Sequence, residues 1–258
     1  TGCLRGSNCV YTTVAILIFS FDYRRFGDPL REFNALMNSV IDDARALMKD
    51  RDGTHGIDHV FRVYKLAKRI RWCGGDKIDK LIMQIALLHD VYDHKYPNSA
   101  NNKMFVSEFY GKNVVDAIDH ISYSSEVKFH IKDPNISISL SRMRWLSGLD
   151  SDTLLARNVV SDADKLDAIG KYGIIRCIDY IKHSKPEIIH DDEQIRILLK
   201  AHYDEKLKLL SQYYIVTEKG QKIAKIQHKQ MEDYMKEYMA RTETNAITND
   251  ANNRKSVV

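Results

Sequence analysis

The chain is poor in the residues that break or cross-link a backbone. Its 258 residues include only four prolines and twelve glycines. This argues against a linker and for a helix-rich chain. Cysteine is equally sparse, at positions 3, 9, 73 and 177 with no CxxC pair. Cys3 and Cys9 are close enough to pair, but the scatter of the other two suggests free thiols in a reducing compartment, so the expected location is cytoplasmic. The charge imbalance is small. A formal net charge of +4 suits an anionic small ligand and is too weak to argue for nucleic acid. Long apolar runs are also missing. "VYTTVAILIFSF" at 10–21 falls short of the ~20 residues needed to span a bilayer, and its flanks carry no clear cleavage pattern. No membrane partner is expected. Residues 1–25 are read as an apolar N-terminal segment, with a buried strand or helix, a leader and a non-native extension all left open.

What is present is ordinary globular composition, 44% hydrophobic and 29% charged, in a chain long enough for one large domain or two small ones. Helical periodicity dominates. Asp28-Pro29 reads as an N-cap and first-turn proline. Behind it Phe33, Leu36, Met37, Val40, Ile41, Ala44, Leu47 and Met48 recur at threes and fours. A second helix is predicted over about 58–72, with Val60, Val63, Tyr64, Ala67 and Ile70 inward, and a third over about 77–89. Shorter helices follow at 103–110 and 112–121, and longer ones at 152–182, 191–214 and 220–240. The Ser-rich stretch 124–151 is the irregular part, a β-hairpin or a loop with a short helix. The polar residues 242–258 read as a disordered tail. The expectation is an all-α fold, a single compact multi-helix domain over 26–241 with an irregular insertion near 124–151.

Three of these helices carry candidate metal ligands on or beside their apolar faces. His59 precedes Val60, and positions 59, 63, 66, 67 and 70 share a face. His89 follows Ile82 and Ile85 by seven and four residues, in line with that helix's core stripe. Asp164 lies four residues after Val160, with Asp162 and Asp167 beside it. Carboxylates directed inward are costly unless compensated, and a divalent ion would accept both imidazole and carboxylate. Spacing alone leaves a satisfied core histidine and a helix-capping His-Asp pair equally open.

The text around these positions resembles the HD-domain metal-dependent phosphohydrolases. "THGIDHVFRVYKLAKRI" is similar to that family's first helix, H-D-x-x-H-x-x-R-V, placing His55 in the leading position and His59 at the ligand, with Arg62-Val63 matching. "IALLHDVYDHK" resembles the His-Asp motif and gives His89 and Asp90. "VVSDADKLDAIGKYGIIR" resembles the third motif and gives Asp164, followed by Lys165, Asp167, Gly170, Gly173 and Arg176. Residues 201–238 are similar to the closing helices of a bacterial-type subgroup that includes nucleotide pyrophosphohydrolases. Four segments thus agree in order over about 50–240. Two departures stand out. His55-Gly56 replaces the usual His-Asp, removing a carboxylate for which Asp58 could substitute, and Ala156 stands where a Glu is expected.

The resemblance implies a metal-dependent phosphohydrolase acting on a nucleotide or similar small phosphate ester, with water activated on the metal as nucleophile. It further implies one divalent ion (Mn, Mg, Ni, Co, Fe or Zn) on His59, His89, Asp90 and Asp164. Asp93, about one turn past Asp90, is the candidate to orient or deprotonate the water, with turn capping as the alternative. Lys95 and Lys165 are candidate phosphate clamps, and His55 is a candidate phosphate contact. His120 could face the pocket or cap a helix, and Tyr92, Tyr96 and Tyr123 could stack on a base or simply pack. A homodimer is compatible with the sequence. The competing reading is a non-catalytic metal- or nucleotide-binding module.

Overall fold

The computed structural model describes residues 28–49, 51, 56–133 and 135–255, and beyond Ala240 the backbone alone. The N-terminal apolar segment 1–25 and His55 lie outside the described residues. Among them no strand occurs, and the fold is all-α. Helix α1 (Pro29–Leu47) starts where Asp28 Oδ1 accepts the Leu30 N–H at 3.0 Å. Its buried stripe of Phe33, Val40 and Ala44 follows the predicted spacing. Helix α2 (Ile57–Ile70) buries Val60, Val63, Tyr64, Ala67 and Ile70, the expected inward set. Helix α3 (Lys77–Leu88) is capped by Asp76 and is apolar all round its last turn, where Ile85, Ala86, Leu87 and Leu88 are fully buried. Such a helix belongs at the centre of a domain.

Helices α4 (Ser99–Tyr110) and α5 (Lys112–Asp119) follow. The predicted irregular insertion is helical: α6 (Tyr123–Ile131) and α7 (Ile138–Trp145) occupy it. The serines that made the segment look like loop or hairpin are partly helix caps. Ser137 Oγ accepts from Leu140 N at 3.2 Å, and just before the segment Ser122 Oγ caps α6 by accepting from Ser125 N at 3.4 Å. Helix α8 (Ser151–Ala168) follows, and α2, α3 and α8 all pack on one another. The three predicted ligand segments are therefore neighbours in space.

The α8–α9 corner needs its glycines. Gly170 opens α9 (Gly170–Ser184) at φ 84°, and a Cβ on Gly173 would meet the Ala168 carbonyl oxygen at 2.2 Å. The chain closes through α10 (Asp192–His202), a π-helical turn (Tyr203–Leu207), α11 (Lys208–Tyr213) and α12 (Glu218–Lys255). The backbone of α12 continues to Lys255, past residue 242 where the polar composition predicts a disordered tail. Asp162, fully buried on α8, ties that last helix down: its carboxylate accepts the backbone N–H groups of Val216 and Thr217 and the Thr217 hydroxyl at 2.6–3.1 Å. Burial pushes its carboxyl pKa up against these bonds. No helix among the described residues is long and apolar enough to cross a membrane.

Candidate metal centre

Each ligand segment sits at the end of its helix, so side chains from three axes can meet. His59 is in the first turn of α2, His89 is the C-cap of α3 with Asp90 just beyond, and Asp164 is in the last turns of α8. The two imidazoles are oriented by their outer nitrogens. His59 Nδ1 donates to Asp167 Oδ2 at 3.0 Å, and His89 Nδ1 donates to the Ala86 carbonyl at 2.8 Å. With both Nδ1 atoms engaged, both Nε2 atoms turn into the same space, 3.3 Å apart. Carboxylate oxygens surround them: Asp164 Oδ1 lies 3.3 Å from His59 Nε2 and 3.9 Å from His89 Nε2, and Asp90 lies 3.6 Å from each.

Two ring nitrogens that share a space with carboxylates suit a positive charge between them, a proton or a metal ion. His59, His89 and Asp90 could hold a metal ion, since one ligand atom from each lies within 4.8 Å of the others. The donor set fits a borderline divalent ion. Electrostatics point the same way. Burial alone would lower the His59 pKa, but hydrogen bonds to Asp164 and Asp167 and the field of Asp90 raise it to about 10. Burial opposes ionisation of Asp164 as well, yet the two histidines hold its carboxyl below the usual range. The carboxylates thus favour the charged form of His59, and His59 and His89 that of Asp164.

Asp167 completes the arrangement. Burial is again outweighed, and its pKa falls to about 2 under bonds from His59 and Arg62 and the charge of Arg176. Arg62 donates through Nε and Nη2 at 3.0 and 3.2 Å, and Arg176 Nη2 lies 3.4 Å away. The carboxylate that holds His59 Nδ1 is Asp167, three residues after Asp164. Asp58, the expected substitute, is exposed. The signal was the i, i+3 spacing of Asp164 and Asp167, which puts both on one face.

The remaining predicted residues part company. Asp93 is 17% exposed and caps its own turn, accepting the Lys95 N–H at 3.0 Å and pairing with His94 and Lys95. The Lys95 side chain is 59% exposed. Lys165 is not at a surface where a phosphate could reach it. It is 2% exposed, bonds Ser161 Oγ and lies 3.8 Å from Glu126 Oε2, with its pKa lowered to about 8 by burial. The physical reason is rotation: one residue past Asp164 is ~100° further round the helix, so the side chain enters the core rather than the metal pocket. His120 donates through Nδ1 to the Asp116 carbonyl at 2.6 Å and packs on Trp145. Tyr92 sends its hydroxyl to Val115 and Asp119, and Tyr123 packs edge-on against Tyr214. Sequence reasoning missed Arg51, Glu126 and the anchoring role of Asp167.

No family model matches the chain. It is similar to the uncharacterized protein YpgQ of Bacillus subtilis, 28% identical over 203 residues that make up 75% of this chain and 87% of that protein. In fold it is similar to a Lactobacillus plantarum protein, with a TM-score of 0.56 at 21% identity over 81% of this chain and 98% of that one. The crystal structure of YpgQ aligns with a TM-score of 0.51 at 23% identity, over 80% of this chain and 94% of its own. YpgQ has also been solved in complex with ADP.

Proposed function

We propose that the chain is an HD-type metal-dependent phosphohydrolase that cleaves a nucleotide or similar small phosphate ester. The observation that carries this reading is the convergence of the His59 and His89 Nε2 atoms with the carboxylates of Asp90 and Asp164. In this reading His59, His89, Asp90 and Asp164 hold one divalent ion, with Mn, Mg, Ni, Co, Fe and Zn the candidates. Bound there, such an ion acidifies water and draws charge from phosphorus. Asp167 fixes the His59 tautomer that turns Nε2 inward, and Arg62 and Arg176 keep Asp167 ionised while it does so. Asp93, one turn beyond Asp90 and partly exposed, receives the proton of the attacking water.

A non-catalytic nucleotide-binding module is the second reading, favoured by Asp93 being engaged in its own turn and Lys165 being sealed in the core. Hydrolysis assays separate the two. The full chain, stripped and reloaded with each metal, is offered nucleoside triphosphates, ADP, nucleoside monophosphates and simple phosphate esters. Pyrophosphate released from a triphosphate supports the first reading. Metal uptake without product from any substrate selects the second. Asp93→Asn should lower turnover by about 10²-fold or more with metal content unchanged.

A further inference from the structure

One cation beside the metal centre has a donor with nothing to bind. Arg51 follows α1, and its Nη2 donates at 2.9 Å to the carbonyl of Val91, the residue after Asp90. Its guanidinium carbon lies 3.5 Å from the centroid of the Tyr96 ring. Its other terminal nitrogen, Nη1, is buried without a hydrogen-bond partner. A buried guanidinium N–H lacking an acceptor is costly and calls for an explanation.

The surroundings supply one. A cavity of about 260 Å³ is lined by Arg45, Lys49, Arg51, Ile57 and Asp58. A second, of about 150 Å³, is also lined by Lys49 and Arg51 and reaches Tyr96. Among the described residues lining the larger one are three cations and the carboxylate of Asp58, with Asp42 3.6 Å from Arg45. The cavity also abuts one ligand-bearing segment, since Ile57 and Asp58 immediately precede His59, and Arg51 reaches the other through the carbonyl of Val91, the residue after Asp90. We infer that Arg51 contacts a phosphate of the substrate, with Lys49 beside it, in the clamp role assigned by sequence to Lys165. This rests on the phosphohydrolase reading and extends it to a polyphosphate tail.

The chemistry fits that role. Val91 and Tyr96 hold the guanidinium plane, so Nη1 is a preorganised donor whose rotamer freedom has already been lost. Phosphate oxygen is a strong acceptor for such a fork, and Lys49 and Arg51, which line both cavities, offer two cations to a pyrophosphate-like tail. A lysine ammonium could keep the charge but not both directed bonds.

Inorganic pyrophosphate is the probe, titrated calorimetrically into the metal-stripped full chain so that the result does not depend on turnover. Wild type should bind it saturably, and Arg51→Gln should bind about tenfold more weakly or worse. Circular dichroism checks the fold. Should Arg51→Gln not fold, Arg51→Lys is read in its place and should still weaken binding severalfold. Wild type without saturable binding overturns the inference, as does a folded Arg51 variant with wild-type affinity. The two levels fail separately. Pyrophosphate binding that depends on Arg51 in a protein that hydrolyses nothing retires hydrolysis alone. Hydrolysis with pyrophosphate binding indifferent to Arg51 retires the clamp alone.

Discussion

Helix α8 carries two ionic clusters, and they are built on opposite terms. Along one strip, Asp164 and Asp167 face His59, His89 and Asp90, with Arg62 and Arg176 reaching only Asp167. The site is partly open, with the Asp164 and Asp90 side chains 29% and 19% exposed. Along the next strip, Arg157 and Lys165 share the carboxylate of Glu126 with Arg142 from α7. Glu126, Arg157 and Lys165 are all sealed from solvent. The first cluster gathers imidazole and carboxylate donors where solvent can reach them. The second satisfies its groups internally and fastens the α6–α7 insertion to the body. Ionic groups gathered within reach of solvent suit a ligand, and those closed off in the core act as a structural tie.

The largest effect should come from breaking the tie. Glu126→Gln leaves Arg142, Arg157 and Lys165 around a neutral amide in a closed space. Removing one partner of a buried ionic cluster costs about 3–5 kcal/mol, or ~10 °C in Tm for a chain of this size. Calorimetry measures the loss, and elemental analysis of the folded fraction should find metal content unchanged. A negligible change in Tm would mean that the insertion is held by other contacts.

Breaking the open cluster should have the reverse signature. His89→Ala should abolish stoichiometric metal binding while far-UV circular dichroism stays near wild type, and equal metal in both proteins would refute the assignment. Asp167→Asn is gentler. It releases the His59 tautomer without removing a ligand, so metal affinity should fall by about 10–100-fold, measured by competition with a chelating dye.

Acidity sharpens the contrast further. The folded pKa of His59, about 10, stands above its ordinary 6.5. The stability it contributes to metal-free protein is full below pH 6.5 and is lost as pH rises through about 10. Asp167, at about 2 against 3.8, contributes stability present above pH 3.8 and lost as pH falls through about 2. Chelated protein should therefore be most stable between these limits and weaken towards alkaline pH. Metal binding requires His59 without its proton, so affinity should rise over the same alkaline range, with release of about one proton per ion near pH 7.5. Titration calorimetry in buffers of different ionisation enthalpy counts that proton.

How much of this could be read from sequence follows from the length scale of each feature. The buried face of α2 and the caps Asp28 and Asp76 are local, and periodicity and residue type exposed the face and the first cap. His59, His89, Asp90 and Asp164 were legible because each lies on or beside an apolar face and in a motif with family resemblance. Ser137 misled because a cap and a turn share composition, and only the helix behind it distinguishes the two. Lys165 misled because adjacency in sequence is not adjacency around a helix. Asp167 bonding His59 across 108 positions, Arg51 reaching Val91 and Glu126 gathering three cations depend on packing that no single segment encodes.

The smallest effect is expected at Lys95, which belongs to neither cluster. Its Nζ is 3.5 Å from Asp93 Oδ2 and the side chain is 59% exposed, so the pair is screened by water and worth little. The turn itself is held by the Lys95 backbone N–H on Asp93, which a side-chain truncation leaves intact. Lys95→Ala should therefore change stability by less than about 0.5 kcal/mol. If Lys95 meets the substrate, it does so as an exposed, long-range charge. The expected change is then a severalfold rise in KM with kcat unaltered, shrinking as salt is raised because the interaction is screened. Arg51, anchored and partly buried, should lose more on substitution and respond less to salt. Steady-state kinetics of both variants at two ionic strengths test that ordering. A kcat fall of tenfold or more in Lys95→Ala, or a salt dependence stronger at Arg51, would place the exposed lysine in the catalytic machinery and the arginine outside it.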